Sequence, residues 1–172
     1  NIKEELRPSS LGARSNYPLQ LCGFQAPQWT IGIMIPIHVP SITEQQEIDF
    51  FRQNTPIPLE DVKSILYEII FGIAGSLKDT NFQAFCDAVN NLQQTKWKAL
   101  ERGVYGKELQ KIERYIKETG AMAVGMSSLG PMLYFLGKDI PCIIDQLKKV
   151  YVNSIFIEAK FNNNAREIVY GE

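Results

Sequence analysis

The stretch "GAMAVGMSSLGPMLYFLG", residues 120–137, decides how this chain folds. Two short apolar runs, Met122–Met126 and Met132–Leu136, flank a connection holding two adjacent serines, a glycine and a proline. Bounded by glycines and partly aromatic, the runs read as strands of one hairpin. The connection is longer than the two residues a tight turn needs. It is either a wide loop with no ligand or a loop whose backbone amides hold something, and the residues alone leave both open. Gly125 and Gly130 can take positive φ or admit a close neighbour. Pro131 fixes the exit, and Ser127 and Ser128 offer hydroxyls. Successive N–H groups in such a bend make an anion-binding concavity.

Working outward, residues 106–119 align Leu109, Ile112, Tyr115 and Ile116 at helical spacing, with Gly120 placed as the residue after the C-cap. Further upstream, Leu59, Val62, Ile65, Leu66, Ile69, Ile70 and Ile73 predict a helix to about Ser76 with one broad inward stripe. Another helix is predicted from an N-cap at Asp79 or Thr80 to about Trp97, with Phe82, Phe85, Cys86, Val89 and Leu92 inward. "WTIGIMIPI", 29–37, reads as a strand ending near Pro36, followed by a short helical stretch at Glu44–Arg52. Beyond the hairpin, Asp139 is placed to cap a helix with Pro141 in its first turn and Lys148 and Lys149 near its end. "NSIFIEAKF", 153–161, alternates as a last strand. The order predicts an α+β two-layer sandwich: a small antiparallel sheet of about four strands with helices on one face.

The chain has 172 residues, enough for one domain with its own core, and a formal net charge of −1. No basic surplus points to nucleic acid. Lys107, Lys111, Arg114 and Lys117 alternate with glutamates and read as a solvated helix face. Cys22, Cys86 and Cys142 stand far apart, in neither metal-ligand nor paired spacing. Cys86 and Cys142 fall on apolar helix sides, where free cysteine acts as a small hydrophobe. No apolar run approaches the roughly 20 residues of a membrane span. A cytoplasmic setting is the expectation. Residues 1–28 lack periodicity and read as an arm, or as the connection to a preceding domain, with the α+β domain over 29–172. The chain starts without Met, so continuation upstream is expected.

At this point the residues carry a resemblance. "VGMSSLGPMLYFL" resembles the third motif of the GHMP kinase superfamily, a Gly/Ser-rich hairpin of the form G-x-S-G-x-G-P-T. Two serines, one large apolar residue and Gly-Pro are similar to a non-kinase branch, the β-ribofuranosylaminobenzene 5′-phosphate synthases. There the loop reads G-x-S-S-aromatic-G-P-T, and "GMSSLGPMLY" matches except at Leu129 and Met132. "PQWTIGIMIPIHVPSITEQQEIDFF" also looks like that branch.

The resemblance implies a ferredoxin-like C-terminal domain and a substrate-phosphate loop over Gly125, Met126, Ser127, Ser128, Leu129, Gly130 and Pro131. It implies that phosphoribosyl pyrophosphate condenses with a hydroxy- or aminobenzoate, losing CO₂ and pyrophosphate, with Mg²⁺ in the whole enzyme and a place in methanopterin biosynthesis. An ATP-dependent small-molecule kinase of the superfamily and a non-catalytic dimerisation or sensing module are the alternatives. The superfamily's other phosphate motif, P-x-x-x-G-L-G-S-S-A, does not occur in the 172 residues. The resemblance therefore implies an N-terminal GHMP domain as partner, no activity for this stretch alone, and compatibility with a homodimer.

Other residues invite a functional reading. His38 is the sole histidine, with no recognisable Ser, Cys or carboxylate partner nearby, so a structural or exposed role is expected. Glu44 and Glu47 have the spacing of a carboxylate pair but read better as a solvated helix face. Trp29 and Trp97 read as core or interface anchors rather than stacking platforms. Arg7 and Arg14, with the serines beside them, are a phosphate-binding alternative in the arm. No catalytic residue is assigned.

Overall fold

The computed structural model describes residues 23–164, which form a four-stranded antiparallel sheet with helices. β1 (Thr30–Ile35) is followed by α1 (Glu44–Asn54), α2 (Leu59–Tyr67), a π-helical segment (Glu68–Ala74), α3 (Gly75–Lys78), α4 (Phe82–Gln94), α5 (Lys96–Gly103) and α6 (Gly106–Glu118). The hairpin β2 (Ala123–Met126) and β3 (Leu133–Leu136) comes next, then α7 (Ile140–Val150) and β4 (Ile155–Lys160). The strand order β2-β3-β1-β4 is the ferredoxin-like arrangement the resemblance implied. Among the described residues no helix is long and apolar enough to cross a membrane.

Cross-strand register sorts the side chains onto two faces. Met34 opposes Leu133 and Val124 opposes Phe135 on one face, which α6 and α7 cover with Leu109, Ile112, Ile116, Ile140, Ile143 and Leu147. Ile31 opposes Leu136 and Ala123 opposes Leu136 on the other, where α4 supplies Phe85, Cys86 and Val89. The α+β class holds. The expectation of helices on one face holds for α6 and α7, while α4 packs on the opposite face over β2 and β3. Both runs of the hairpin are buried on both sides, which is why their pattern is continuous rather than alternating.

Local chemistry explains most boundaries. Asp139 accepts from the Cys142 amide as the cap of α7, and Gly120 takes φ +101 after α6. The α4 cap is Asn81, not Asp79 or Thr80: its side chain accepts from the Ala84 amide, while Thr80 adopts φ 54. The helix expected to reach Trp97 breaks at Thr95, whose hydroxyl bonds the Leu92 carbonyl, so that α5 starts separately.

The stripe expected to face inward from Leu59 also departs from its reading. Leu59, Leu66, Ile69 and Ile70 are exposed; Ile73 and Leu77 pack against the core. The helix meets α4 through its π-helical part, where Gly72 lies so close that a Cβ there would sit 2.7 Å from that of Ala88. A π-helical turn shifts the helical phase, so Leu59 and Leu66 before it do not share the contact face of Leu77 after it.

At the opposite edge, the chain's entry and exit are pinned together. Asn163 accepts from the Ala26 amide and donates to the Ala26 carbonyl, both at 2.8 Å.

Cys86 is buried as expected, and burial, aided by Asp87, pushes its thiol up to about 11. Cys142, expected on an apolar side, is instead exposed on α7. Under native conditions an alkylating reagent should modify Cys142 and leave Cys86 intact until denaturant is added. Peptide mass mapping reads this directly, and equal rates would contradict the burial.

Candidate functional site

The hairpin loop brings Ser127, Ser128, Leu129, Gly130 and Pro131 together at the end of β2, with Gly125 and Met126 in the strand itself. Its conformation adds one feature to the sequence expectation, a left-handed serine. Positive φ falls on Ser128 (45°) and Gly130 (59°), not on Gly125. Gly125 serves close approach instead: a Cβ there would lie 2.4 Å from the Tyr134 ring. A Cβ on Gly130 would meet Met126 Sδ at 2.6 Å and Tyr105 Cε2 at 2.9 Å. Within the loop, the Ser127 amide donates to the Met132 carbonyl at 3.0 Å and the Gly130 amide to the Ser127 carbonyl at 2.8 Å.

The loop's carbonyls face the protein. Lys98 Nζ of α5 donates to the Met126 carbonyl at 3.1 Å and to the Ser128 carbonyl at 3.4 Å. Tyr105 donates its hydroxyl to the Leu129 carbonyl. Burial pushes the Tyr105 hydroxyl above its ordinary value, so it remains a donor across the physiological range.

A peptide unit is planar and trans, so each N–H points opposite to the carbonyl of the same unit. With the Ser128 carbonyl turned to Lys98, the Leu129 N–H is turned away from α5. With the Ser127 carbonyl engaged by Gly130, the Ser128 N–H points out of the turn. Neither amide has an acceptor among the described residues. Of the five loop residues after Met126, only Ser128 is exposed; Ser127 and Gly130 are half-buried.

Behind the loop lies a buried polar network from three helices. Glu101 is 4% exposed; its carboxylate accepts from Trp97 Nε1 at 2.8 Å and pairs with Lys98. Gln93 accepts the Met126 amide at 3.3 Å, and its carbonyl accepts from Arg102 at 2.8 Å. Arg102 in turn pairs with Glu113 of α6 at 3.2 Å. Burial raises the Glu113 carboxyl above the usual carboxylate range, against the opposing pull of Arg102. None of Gln93, Lys98, Glu101, Arg102 and Tyr105 was singled out for a role at the loop from the sequence: the loop contacts of Gln93, Lys98 and Tyr105 span 24–33 residues, and Glu101 and Arg102 reach the loop only through Lys98 and Gln93.

The remaining candidates fall elsewhere. His38 is partly exposed, with a Glu108 oxygen at 3.9 Å and its ring stacked over Tyr151. Glu44 and Glu47 occupy the first turn of α1, where they suit the helix dipole. Trp29 packs on Phe82 and Phe85, and Trp97 on Phe50 and Phe51, as anchors. Arg7 and Arg14 lie outside the described residues. A cleft of about 440 Å³, lined by His38, Ile42, Gln46 and Glu108 among others, shares Tyr105 with the loop.

No family model matches the chain. Among curated proteins it is similar to the β-ribofuranosylphenol 5′-phosphate synthase of Methanothermobacter thermautotrophicus, 29% identical over 140 residues, covering 81% of this chain and 42% of that protein. The enzyme of the same name from Archaeoglobus fulgidus is 27% identical, covering 77% of this chain and 40% of the relative. That of Methanocaldococcus jannaschii is 24% identical over 170 residues, covering 96% and 50%. The chain thus spans half or less of the length of these relatives. Among solved structures, homoserine kinase from Cytophaga hutchinsonii shares the fold, with TM-score 0.60 and 16% identity over 87% of this chain and 46% of that one. The resemblance drawn from the hairpin loop holds: the chain is similar to this synthase in sequence and to a GHMP kinase in fold.

Proposed function

We propose that this chain, similar over most of its length to β-ribofuranosylphenol 5′-phosphate synthases, supplies the half of such an enzyme that holds the phosphate end of its substrate. One observation supports the reading: the adjacent amides of Ser128 and Leu129, at a left-handed Ser128, have no acceptor among the described residues, as an anion-binding turn requires. The reaction is the one the resemblance implies, transfer of ribose 5′-phosphate from phosphoribosyl pyrophosphate to a hydroxy- or aminobenzoate with loss of CO₂ and pyrophosphate. In this reading the two amides and the Ser128 hydroxyl bind phosphoryl oxygens, and the rigid hairpin fixes their direction. The other wall of the pocket comes from the further length that the relatives possess. The setting is a cytoplasmic, archaeal-type methanopterin pathway.

Mg²⁺ is implied for the whole enzyme, but the described residues hold no group of three His, Cys, Asp or Glu suited to a metal. No step here runs through the ion.

The test uses a polypeptide of the relatives' length that contains this chain. With phosphoribosyl pyrophosphate and carboxyl-labelled 4-hydroxybenzoate it should release labelled CO₂ and pyrophosphate. Changing Gly130 to Val, which collides with Met126 and Tyr105, should abolish that release. Turnover of ATP with a small alcohol, and none with phosphoribosyl pyrophosphate, would replace this assignment with a kinase.

A further inference from the structure

We propose that Lys98 and Tyr105 are positioning residues for the phosphate loop, acting by gripping its carbonyls from behind so that its amides face the ligand. The inference rests on the phosphate-loop reading above and adds to it the residues that aim the loop.

Two features of the structure support it. Lys98 spends its charge on the protein: its side chain is 20% exposed, its ammonium is paired with a 6%-exposed Glu101, and its remaining donors go to loop carbonyls. A lysine held this way brings no free positive charge to a ligand. Its contribution is direction, because turning the Ser128 carbonyl inward turns the Leu129 amide outward through the same rigid peptide plane. Tyr105 does the same one peptide further on, fixing the Leu129 carbonyl. That leaves the Gly130 amide facing the Ser127 carbonyl, which closes the turn at 2.8 Å. Three of the loop's carbonyls therefore have protein donors behind them, while the two amides without acceptors are adjacent in sequence.

The prediction separates aim from charge. In a ¹⁵N-labelled polypeptide of the relatives' length that contains this chain, inorganic pyrophosphate should shift the Ser128 and Leu129 amide resonances on titration. Tyr105→Phe and the charge-neutral double variant Lys98→Met/Glu101→Gln should weaken that response on the order of tenfold, the scale of one well-oriented hydrogen bond. The double variant leaves no unpaired carboxylate, so it folds, as circular dichroism will report. Lys98→Arg, which keeps a donor toward the same carbonyls, should restore most of the affinity. Variants that fold and bind pyrophosphate as tightly as the parent overturn the positioning role and leave the loop reading intact. A parent chain whose Ser128 and Leu129 resonances ignore pyrophosphate overturns the loop reading itself, and the positioning role with it.

Discussion

Replacing Phe135 by alanine is expected to lower the unfolding free energy by about 3–5 kcal/mol, the usual cost of emptying a buried aromatic site. Phe135 is fully buried in β3, opposite Gly32 of the central strand. The two positions are complementary: a Cβ at Gly32 would lie 2.1 Å from the Phe135 ring, so the glycine exists to make room for it. The ring also belongs to the core cluster that the sheet forms with α6 and α7. Urea unfolding followed by circular dichroism measures the loss. The converse change, Gly32→Ala, should cost about 1–3 kcal/mol by overpacking. Because the sites touch, Gly32→Ala in a Phe135→Leu background should cost less than in the parent. A Phe135→Ala loss below 1 kcal/mol, outside the range of about 3–5 kcal/mol, would show that the ring does not fill this core.

The second large effect concerns the pair Arg102–Glu113, whose side chains are 20% and 12% exposed. Removing one partner of a buried pair leaves the other uncompensated, so Arg102→Met should cost about 3–5 kcal/mol at pH 8. The pH dependence has a definite sign. Burial already raises the folded Glu113 carboxyl above its unfolded value, and Arg102 is the main influence holding it down. Without Arg102 the carboxyl rises further. A raised folded value means the folded state holds the proton more tightly than the unfolded state. Its contribution is therefore fully present below the unfolded carboxylate range and is lost as pH rises through the folded value. The variant should be closest to the parent near pH 4 and fall away from it toward pH 8. Urea midpoints at the two pH values test this, and adding Glu113→Gln should flatten the profile. A deficit equal at both pH values would show that Glu113 does not carry it.

How much of this was legible depended on the range of the interaction. The hairpin strands, the α7 cap at Asp139 and the stripe of α6 rest on signals within one turn or one strand, and all stand where the residues place them. The break at Thr95 was local too, but a lone threonine in a polar stretch is a weak signal against the run of helix formers around it. The exposed face of Leu59, Leu66, Ile69 and Ile70 was misread for a different reason: periodicity reports that residues share a face, not what covers that face. A π-segment hides from periodicity as well, since it changes the period in mid-helix. At the candidate site, the glycines, serines and proline of the loop were readable because turns demand those residue types. The aim of the loop was not. It depends on Lys98 and Tyr105 meeting carbonyls some 24–30 residues away.

The reciprocal amide pairing of Ala26 and Asn163 has an architectural result. Whatever polypeptide lies before the first of these residues and after the second departs from a single corner, as two leads from one socket. A domain wired in this way can be spliced into a host sequence or tethered to a neighbour at one corner without threading through the sheet.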